Sequence, residues 1–159
     1  MSRLVLFLDV DGVLNTKQCR NQNVSLAPDC VSVLHRFLEG FNEYEVEIIL
    51  ASFWKASFYG AHDERNSTRV KMLESALAPY TITGKVSEPR SRGIAEYLSE
   101  HTLSEGDQML ILDDSHEIYD QDLMKCLYVT QDGLKDNDIS GMKSRVTEIH
   151  ASCHSRFND

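Results

Sequence analysis

The chain has 159 residues, a length that suits one domain and is short for two, so we predict a single domain over residues 1–159. Hydrophobic residues make up 42% and charged residues 26% of the chain, values that exclude disordered, collagen-like and coiled-coil proteins. The formal net charge of −9 argues against a protein that holds nucleic-acid phosphates over a broad surface, which needs clustered Lys and Arg. A phosphorylated substrate stays compatible with this charge if a divalent cation accompanies it.

The first residues of the chain do not have the pattern of a signal peptide. Their apolar run, residues 4–10, is interrupted by Asp9, and no small-residue cleavage site follows it. No stretch reaches the roughly 20 apolar residues that a transmembrane helix requires. We therefore expect a soluble, cytoplasmic protein without a membrane partner, and nothing in the sequence predicts a protein partner.

Short apolar runs alternate with segments of helical periodicity, which is typical of an α/β fold with a mainly parallel sheet. The predicted elements of the first half are a strand at residues 4–8, a helix from Pro28 to Gly40, a strand at residues 46–50, and a helix that carries Val70, Leu73 and Leu77 and stops before Pro79. Those of the second half are a weak strand at residues 80–83, a helix from about Ser91, a strand at residues 109–112, a helix within residues 116–124, a strand at residues 127–129, and a helix from Asn137 or Asp138 with Ile139, Met142, Val146 and Ile149 on one face.

Three of the predicted strands run directly into polar or acidic residues. Asp9 follows the first strand, Ser52 follows the second, and the pair Asp113-Asp114 follows the strand at residues 109–112. Ligands of open parallel sheets bind beyond the carboxyl ends of the strands, so we expect these side chains to meet in one crevice. Crowded carboxylates repel one another unless a cation lies among them, and oxygen ligands suit Mg²⁺ better than zinc. The sequence therefore predicts a magnesium site.

The segment Asp9-Val10-Asp11-Gly12-Val13-Leu14-Asn15 after an apolar strand resembles the first motif of the haloacid dehalogenase (HAD) superfamily of phosphotransferases. Residues 48–52, an apolar strand ending in Ser52, are similar to the second motif, and residues 110–114 are similar to the two-Asp form of the fourth. This resemblance implies a HAD-like Rossmannoid three-layer sandwich and a hydrolase of phosphoric monoesters.

The third motif of the superfamily is a Lys or Arg that opens the helix before the fourth motif. Three cations are available in this region, and we favour Arg92 over Arg90 and Lys85 because it lies at the start of the helix predicted from Ser91. Short segments also resemble one branch, the small HAD domain associated with Swiss Army Knife RNA-repair proteins. These segments are residues 52–55, in which Lys55 stands where Arg is common, Arg92-Gly93, and residues 132–134.

The resemblance implies a role for each matched residue. Asp9 is the nucleophile and forms an aspartyl-phosphate, and Asp11 is the general acid and base. The expected Mg²⁺ ligands are Asp9, the backbone carbonyl of Asp11, Asp113 and Asp114. Which of Asp113 and Asp114 binds the metal directly stays open. The expected substrate-binding residues are Gly12, whose backbone turns towards the ligand, Ser52, Lys55 and Arg92.

The spacing of the motifs leaves no room for a large cap domain. Only 36 residues separate Asn15 from Ser52, and 39 separate Ser52 from Arg92, and predicted helices and strands use much of both intervals. An open site suits a small phosphoester or nucleotide, a nucleic-acid end or a phosphoprotein. One alternative is a catalytically silent relative that binds phosphate or RNA. Another alternative is a receiver-type signalling domain. It lacks support because its phosphorylated Asp would have to follow the third predicted strand, where this sequence has no Asp.

Overall fold

The structure is a computed structural model that describes residues 1–51 and 64–148, with the side chains of these residues except 64–67 and 148. In chain order, its elements are β1 (Arg3–Leu8), α1 (Lys17–Asn21), α2 (Pro28–Glu39), β2 (Glu45–Leu50), α3 (Glu64–Leu77), β3 (Ile82–Lys85), α4 (Arg90–Glu100), β4 (Gln108–Asp113), α5 (Gln121–Met124), β5 (Leu127–Val129), α6 (Asp138–Arg145) and β6 (Thr147–Glu148).

Five parallel strands form the sheet in the order β3-β2-β1-β4-β5, and the short β6 pairs antiparallel with β4. The central strand is β1, in which Leu6 lies opposite Ile48 on one side and Leu110 on the other. From β1 the chain builds outwards through β2 to β3, and it then crosses to β4 on the opposite side of β1. The boundary between β1 and β4 is therefore the topological switch point, where open parallel sheets bind their ligands.

Successive side chains of β1 point to opposite faces of the sheet, and both faces are covered. Leu4, Leu6 and Leu8 belong to a buried cluster with apolar residues of α2, α3 and α6. Val5 and Phe7 belong to a second cluster with apolar residues of α4 and α5. This is the predicted three-layer sandwich, and the residues that the structure describes contain no large cap domain. None of the helices in the described ranges is long and apolar enough to cross a bilayer.

Most predicted elements are confirmed. The structure has strands at or around the four stronger predicted positions, and α2 has Pro28 in its first turn and Gly40 as its C-cap. Helix α3 ends at Leu77, before Pro79, as the sequence predicts. The fourth predicted helix is present only as the single turn α5.

Two predicted boundaries are wrong, and one helix was not predicted. The third strand begins at Ile82, because the amide of Tyr80 still donates to the carbonyl of Leu77 in the turn that closes α3. The last helix ends at Arg145, after which the chain pairs with β4; Ile149 lies outside the described residues. Helix α1 has no buried residue, so no apolar periodicity signals it.

Candidate active site

Two adjacent strands bring the acidic residues together. Asp9 directly follows β1, and Asp113 is the last residue of β4. The two strands are parallel neighbours with Leu8 opposite Leu112, and the amide of Asp9 donates to the carbonyl of Leu112 over 2.9 Å. The carboxyl ends of β1 and β4 therefore present their side chains at one edge, as the sequence predicts.

The carboxylates of Asp9, Asp113 and Asp114 form a compact cluster. Each offers an oxygen within 4.8 Å of the others, and Asp9 and Asp113 are buried whereas Asp114 is exposed. Burial raises the pKa of Asp9 to about 8, and the neighbouring Asp113 and Asp114 add to the shift. Burial and the interaction with Asp113 also raise the pKa of Asp114. The cluster is therefore short of positive charge.

Among the described residues, Arg90 is the cation that lies against this cluster. Its Nη1 lies 2.7 Å from Oδ2 of Asp113 and 3.5 Å from Oδ2 of Asp9. Burial by itself lowers the pKa of Arg90, but the attraction of Asp9 and Asp113 outweighs burial and raises it, so the guanidinium stays charged.

One guanidinium does not balance three carboxylates. When Asp9, Asp113 and Asp114 are all ionised, Arg90 leaves two negative charges over. The donor set consists of oxygens alone, which suits a hard divalent cation such as Mg²⁺. The described residues thus fit the metal that the sequence predicts.

The structure does not bring Arg92 to the cluster, contrary to the expectation from the sequence. The Arg92 side chain is 77% exposed, and its Nε pairs with Glu96 on the outer face of α4 over 3.2 Å. Helix α4 begins at Arg90, and two residues along an α-helix turn the side chain by about 200°, so Arg90 and Arg92 face opposite ways. Lys85 ends β3, which is separated from β1 by β2. Of the three cations, Arg90 is therefore the one that the described residues show in contact with the carboxylate cluster.

In the described part of the chain, two further groups hold Asp113, and the sequence did not point to either. The hydroxyl of Tyr119 donates to Oδ2 of Asp113 over 2.8 Å, and the amide of Ser115 donates to Oδ1 over 3.1 Å. Burial raises the pKa of Tyr119, and the charge of Asp113 raises it further, so the hydroxyl remains a donor. These two hydrogen bonds fix the orientation of the Asp113 carboxylate, whereas Asp114 is exposed to solvent.

The loop after β1 turns at Gly12 and is held by Asn15. Gly12 has φ +82, and a Cβ at this position would overlap the carboxylate of Asp114. Asn15 is fully buried; its Oδ1 accepts from the Gly12 amide over 2.9 Å, and its Nδ2 donates to Oδ1 of Asp11 over 2.8 Å. Asn15 therefore orients Asp11, whose carboxylate does not belong to the three-carboxylate cluster.

The chain after β5 supports the same loop from the other side. The carbonyl of Gly12 accepts from Oγ1 of Thr130 over 2.6 Å and from the amide of Gly133 over 2.8 Å. The amide of Leu134 donates to the carbonyl of Val13 over 2.8 Å. Residues 132–134, which carry part of the resemblance noted above, thus fix the backbone that carries Asp11.

The position of Gly12 leads to a stability prediction. We expect Gly12→Ala to lower the free energy of unfolding by about 1–2 kcal/mol, because the backbone there is left-handed. The overlap of the new Cβ with Asp114 should lower it by at least about 1 kcal/mol more. Gly106→Ala is the matched control, because Gly106 also has a positive φ but its Cβ would meet only the flexible side-chain hydroxyl of Ser2. Chemical denaturation measures both. Equal losses would show that the overlap with Asp114 costs nothing.

Ser52 and Lys55 lie outside the described residues, so their expected contacts with phosphate stay predictions.

Comparison with known proteins places the chain in a family. A family model described as "HAD domain in Swiss Army Knife RNA repair proteins" matches residues 5–139, which is most of the chain, and the chain belongs to this family. No curated protein matches the chain, and no solved structure does.

Proposed function

We propose that this member of the HAD family is a Mg²⁺-dependent phosphomonoester hydrolase that works through an aspartyl-phosphate on Asp9. One observation carries the proposal. Three carboxylates and Arg90 lie together at the switch point of a parallel sheet, and one of them belongs to Asp9, which matches the nucleophile position of the first motif. Such a site can hold a dianionic phosphate only with added positive charge, and the oxygen donors are those that Mg²⁺ prefers.

Each step of the reaction is assigned to a residue of the chain. An Asp9 carboxylate oxygen attacks phosphorus while the bond from phosphorus to the leaving oxygen breaks, and Asp11 gives that oxygen a proton. Water then attacks the phosphorus of the aspartyl-phosphate, Asp11 takes its proton, and the Asp9 carboxylate leaves as inorganic phosphate forms. Bound Mg²⁺ supplies the charge that lets an anionic carboxylate approach an anionic phosphate. Arg90 offsets further negative charge and keeps Asp113 in place.

The remaining residues support these two carboxylates. The amide of Val10 donates to Oδ1 of Asp9 over 2.9 Å, which orients the nucleophile. The hydrogen bond that Asn15 donates to Oδ1 of Asp11 over 2.8 Å orients the proposed general acid and base. The raised pKa of Asp9 means that much of the metal-free protein carries a proton on Asp9 at neutral pH. Loading of the cation and ionisation of the nucleophile are therefore coupled.

The open site and the family support a particular class of substrate. Without a large cap in the described residues, the site accepts a phosphate on a small molecule or on the end of a longer one. The family description names RNA-repair proteins, and this supports nucleotides and nucleic-acid ends over phosphoproteins.

The test is phosphate release from p-nitrophenyl phosphate with Mg²⁺ and after removal of divalent cations by chelation. We expect chelation to lower the rate at least about a hundredfold, since the carboxylate cluster then repels the phosphate, and Mg²⁺ to restore it. Asp136→Asn, a change at an exposed carboxylate on the surface, is the control and should behave as the unchanged protein. No release from p-nitrophenyl phosphate, nucleotides, phosphorylated oligonucleotides or phosphopeptides would instead favour the silent phosphate- or RNA-binding module.

A further inference from the structure

A cleft of about 500 Å³ opens beside Asp11, and Asp11 is the one lining residue that takes part in the reaction steps above. The cleft is lined by Arg20 of α1, by residues 23–25 after this helix, and by residues 68, 69 and 72 of α3. Asp11 and the buried Asn15 also line it. Because Asp11 lines this cleft and, in the proposed function, protonates the leaving oxygen, we expect the leaving group to lie at the cleft.

Two arginines line the cleft of a strongly acidic protein. Arg20 and Arg69 both border it, although acidic residues outnumber basic ones by 25 to 16 in the chain. Nη1 of Arg20 donates to Oδ1 of Asn15 over 2.7 Å, so the side chain of one residue joins this guanidinium to Asp11. That bond uses one of the five N–H groups of an arginine. The arrangement suits an anion on the leaving group, close to the atom that Asp11 protonates.

The cleft also exposes apolar surface. Val24 and Met72 line it, and each is 41% exposed. The described residues include only two other exposed large apolar side chains, Met1 and Ile118, and neither borders this cleft. Exposed apolar groups gathered at one place mark a binding surface, and next to two cations they suit the ring of a base.

We propose that this cleft selects phosphomonoesters whose leaving group is a nucleoside that carries a second phosphate. The inference rests on the proposed function and adds the identity of the leaving group to it. The second phosphate binds Arg20 and Arg69, and the base lies against Val24 and Met72. The volume falls within the range of small-molecule sites and accommodates one nucleotide. This chemistry is present both in a free nucleoside bisphosphate and at the phosphorylated end of an oligonucleotide.

The kinetic test compares adenosine 3′,5′-bisphosphate with adenosine 5′-monophosphate and 3′-monophosphate. We expect kcat/KM to favour the bisphosphate by about tenfold or more, the size of a charged hydrogen bond, and Arg69→Gln to remove most of this preference. Arg20→Gln should do the same but also frees Asn15, so Arg69→Gln is the decisive variant. Arg36→Gln is the matched control, since Arg36 pairs with Asp136 on the surface and does not line the cleft. It should keep the preference.

Dinucleotides with one terminal phosphate distinguish the two sources. A higher kcat/KM for the dinucleotides identifies nucleic-acid ends as the source, and a higher value for the bisphosphate identifies a free nucleotide. Either result supports the inference. Equal kcat/KM for the bisphosphate and the monophosphates, or a preference that Arg69→Gln leaves intact, would overturn it.

A binding experiment separates this inference from the proposed function. Calorimetric titration of the Asp9→Asn variant with the same three adenosine nucleotides requires no turnover. If the protein proves inactive but this variant binds the bisphosphate at least about tenfold more tightly than the monophosphates, the proposed function fails and the cleft assignment stands. If the protein is active and binding shows no such difference, the cleft assignment alone fails.

Discussion

Asp9→Asn is expected to lower phosphate release at least about a thousandfold under saturating substrate and Mg²⁺, because an amide cannot form the phosphoryl intermediate. Asp9 is the one carboxylate at the end of β1 that belongs to the cluster and also touches Arg90. The initial rate with p-nitrophenyl phosphate measures the loss. A variant with near-normal turnover would show that another group is the nucleophile.

The same variant should be stable, and the pH dependence of its stability is the control for folding. Burial raises the pKa of Asp9 to about 8 in the folded chain, whereas a free aspartate has a pKa of about 4. The folded state therefore holds a proton that the unfolded state releases between these values, so the unfolding free energy of the metal-free protein falls as pH rises from about 4 to about 8. Asparagine cannot ionise, so the Asp9→Asn variant should not show this fall in unfolding free energy.

At pH 8 without metal, we expect the unfolding free energy of Asp9→Asn to exceed that of the unchanged protein by at least about 1.4 kcal/mol, the equivalent of one pKa unit. Near pH 4 we expect this difference in unfolding free energy to vanish. Denaturation in urea at the two pH values measures it. Addition of Mg²⁺ should stabilise the unchanged protein more than the variant, which lacks one carboxylate ligand. An equal response of the two proteins to Mg²⁺ would contradict the assignment of Asp9 as a ligand.

The sheet could be predicted from the sequence where burial is complete. Strands β1 and β4 are covered on both faces, so they appear as nearly continuous apolar runs. Strand β3 lies at the edge of the sheet, is only partly buried and contains Gly84, and its apolar signal is weak enough to misplace the strand by two residues. The end of α6 was predicted wrongly because it is decided by the pairing of β6 with β4, a contact between segments that are far apart in the sequence.

The acidic cluster was predictable for a physical reason of the same kind. A residue that follows a buried strand lies at a known edge of a parallel sheet, so Asp9, Asp113 and Asp114 could be brought together without coordinates. The choice between Arg90 and Arg92 could not be made in this way. It depends on which residue begins α4, since an error of one residue in the predicted start of a helix changes the predicted direction of each side chain by about 100°.

The residues that hold the site were harder to find. Tyr119 reaches Asp113 from a short irregular segment, and Thr130 reaches the carbonyl of Gly12 from beyond β5. Neither follows a periodic pattern. Thr130 offered one signal that could have been used: it is a polar residue that directly follows a strand, as Asp9 does.

Arg90→Gln is expected to cost about 3–5 kcal/mol of unfolding free energy, because removing one partner leaves a buried charge without compensation. Asp113 is fully buried, and among the described residues the Tyr119 hydroxyl and the Ser115 amide would remain as its donors. We also expect turnover per folded molecule to fall about a hundredfold, as for other charge-stabilising groups at a reacting centre. Urea denaturation and initial rates at saturating Mg²⁺ measure the two effects separately. Added Mg²⁺ should reduce the stability loss, since the cation offsets part of the uncompensated charge.

Arg92→Gln is the matched control, because the same substitution two residues further along α4 removes a guanidinium that is 77% exposed and pairs with Glu96. An exposed pair of this kind contributes little, so stability should change by less than about 0.5 kcal/mol and turnover should be unaffected. Arg90→Lys adds a second comparison: it keeps the charge but not the fork of donors, and we expect it to retain more stability than Arg90→Gln. If turnover were lost with Arg92→Gln and kept with Arg90→Gln, the cation that faces the phosphate would be Arg92, and the arrangement of Arg90 between Asp9 and Asp113 would have no part in the chemistry.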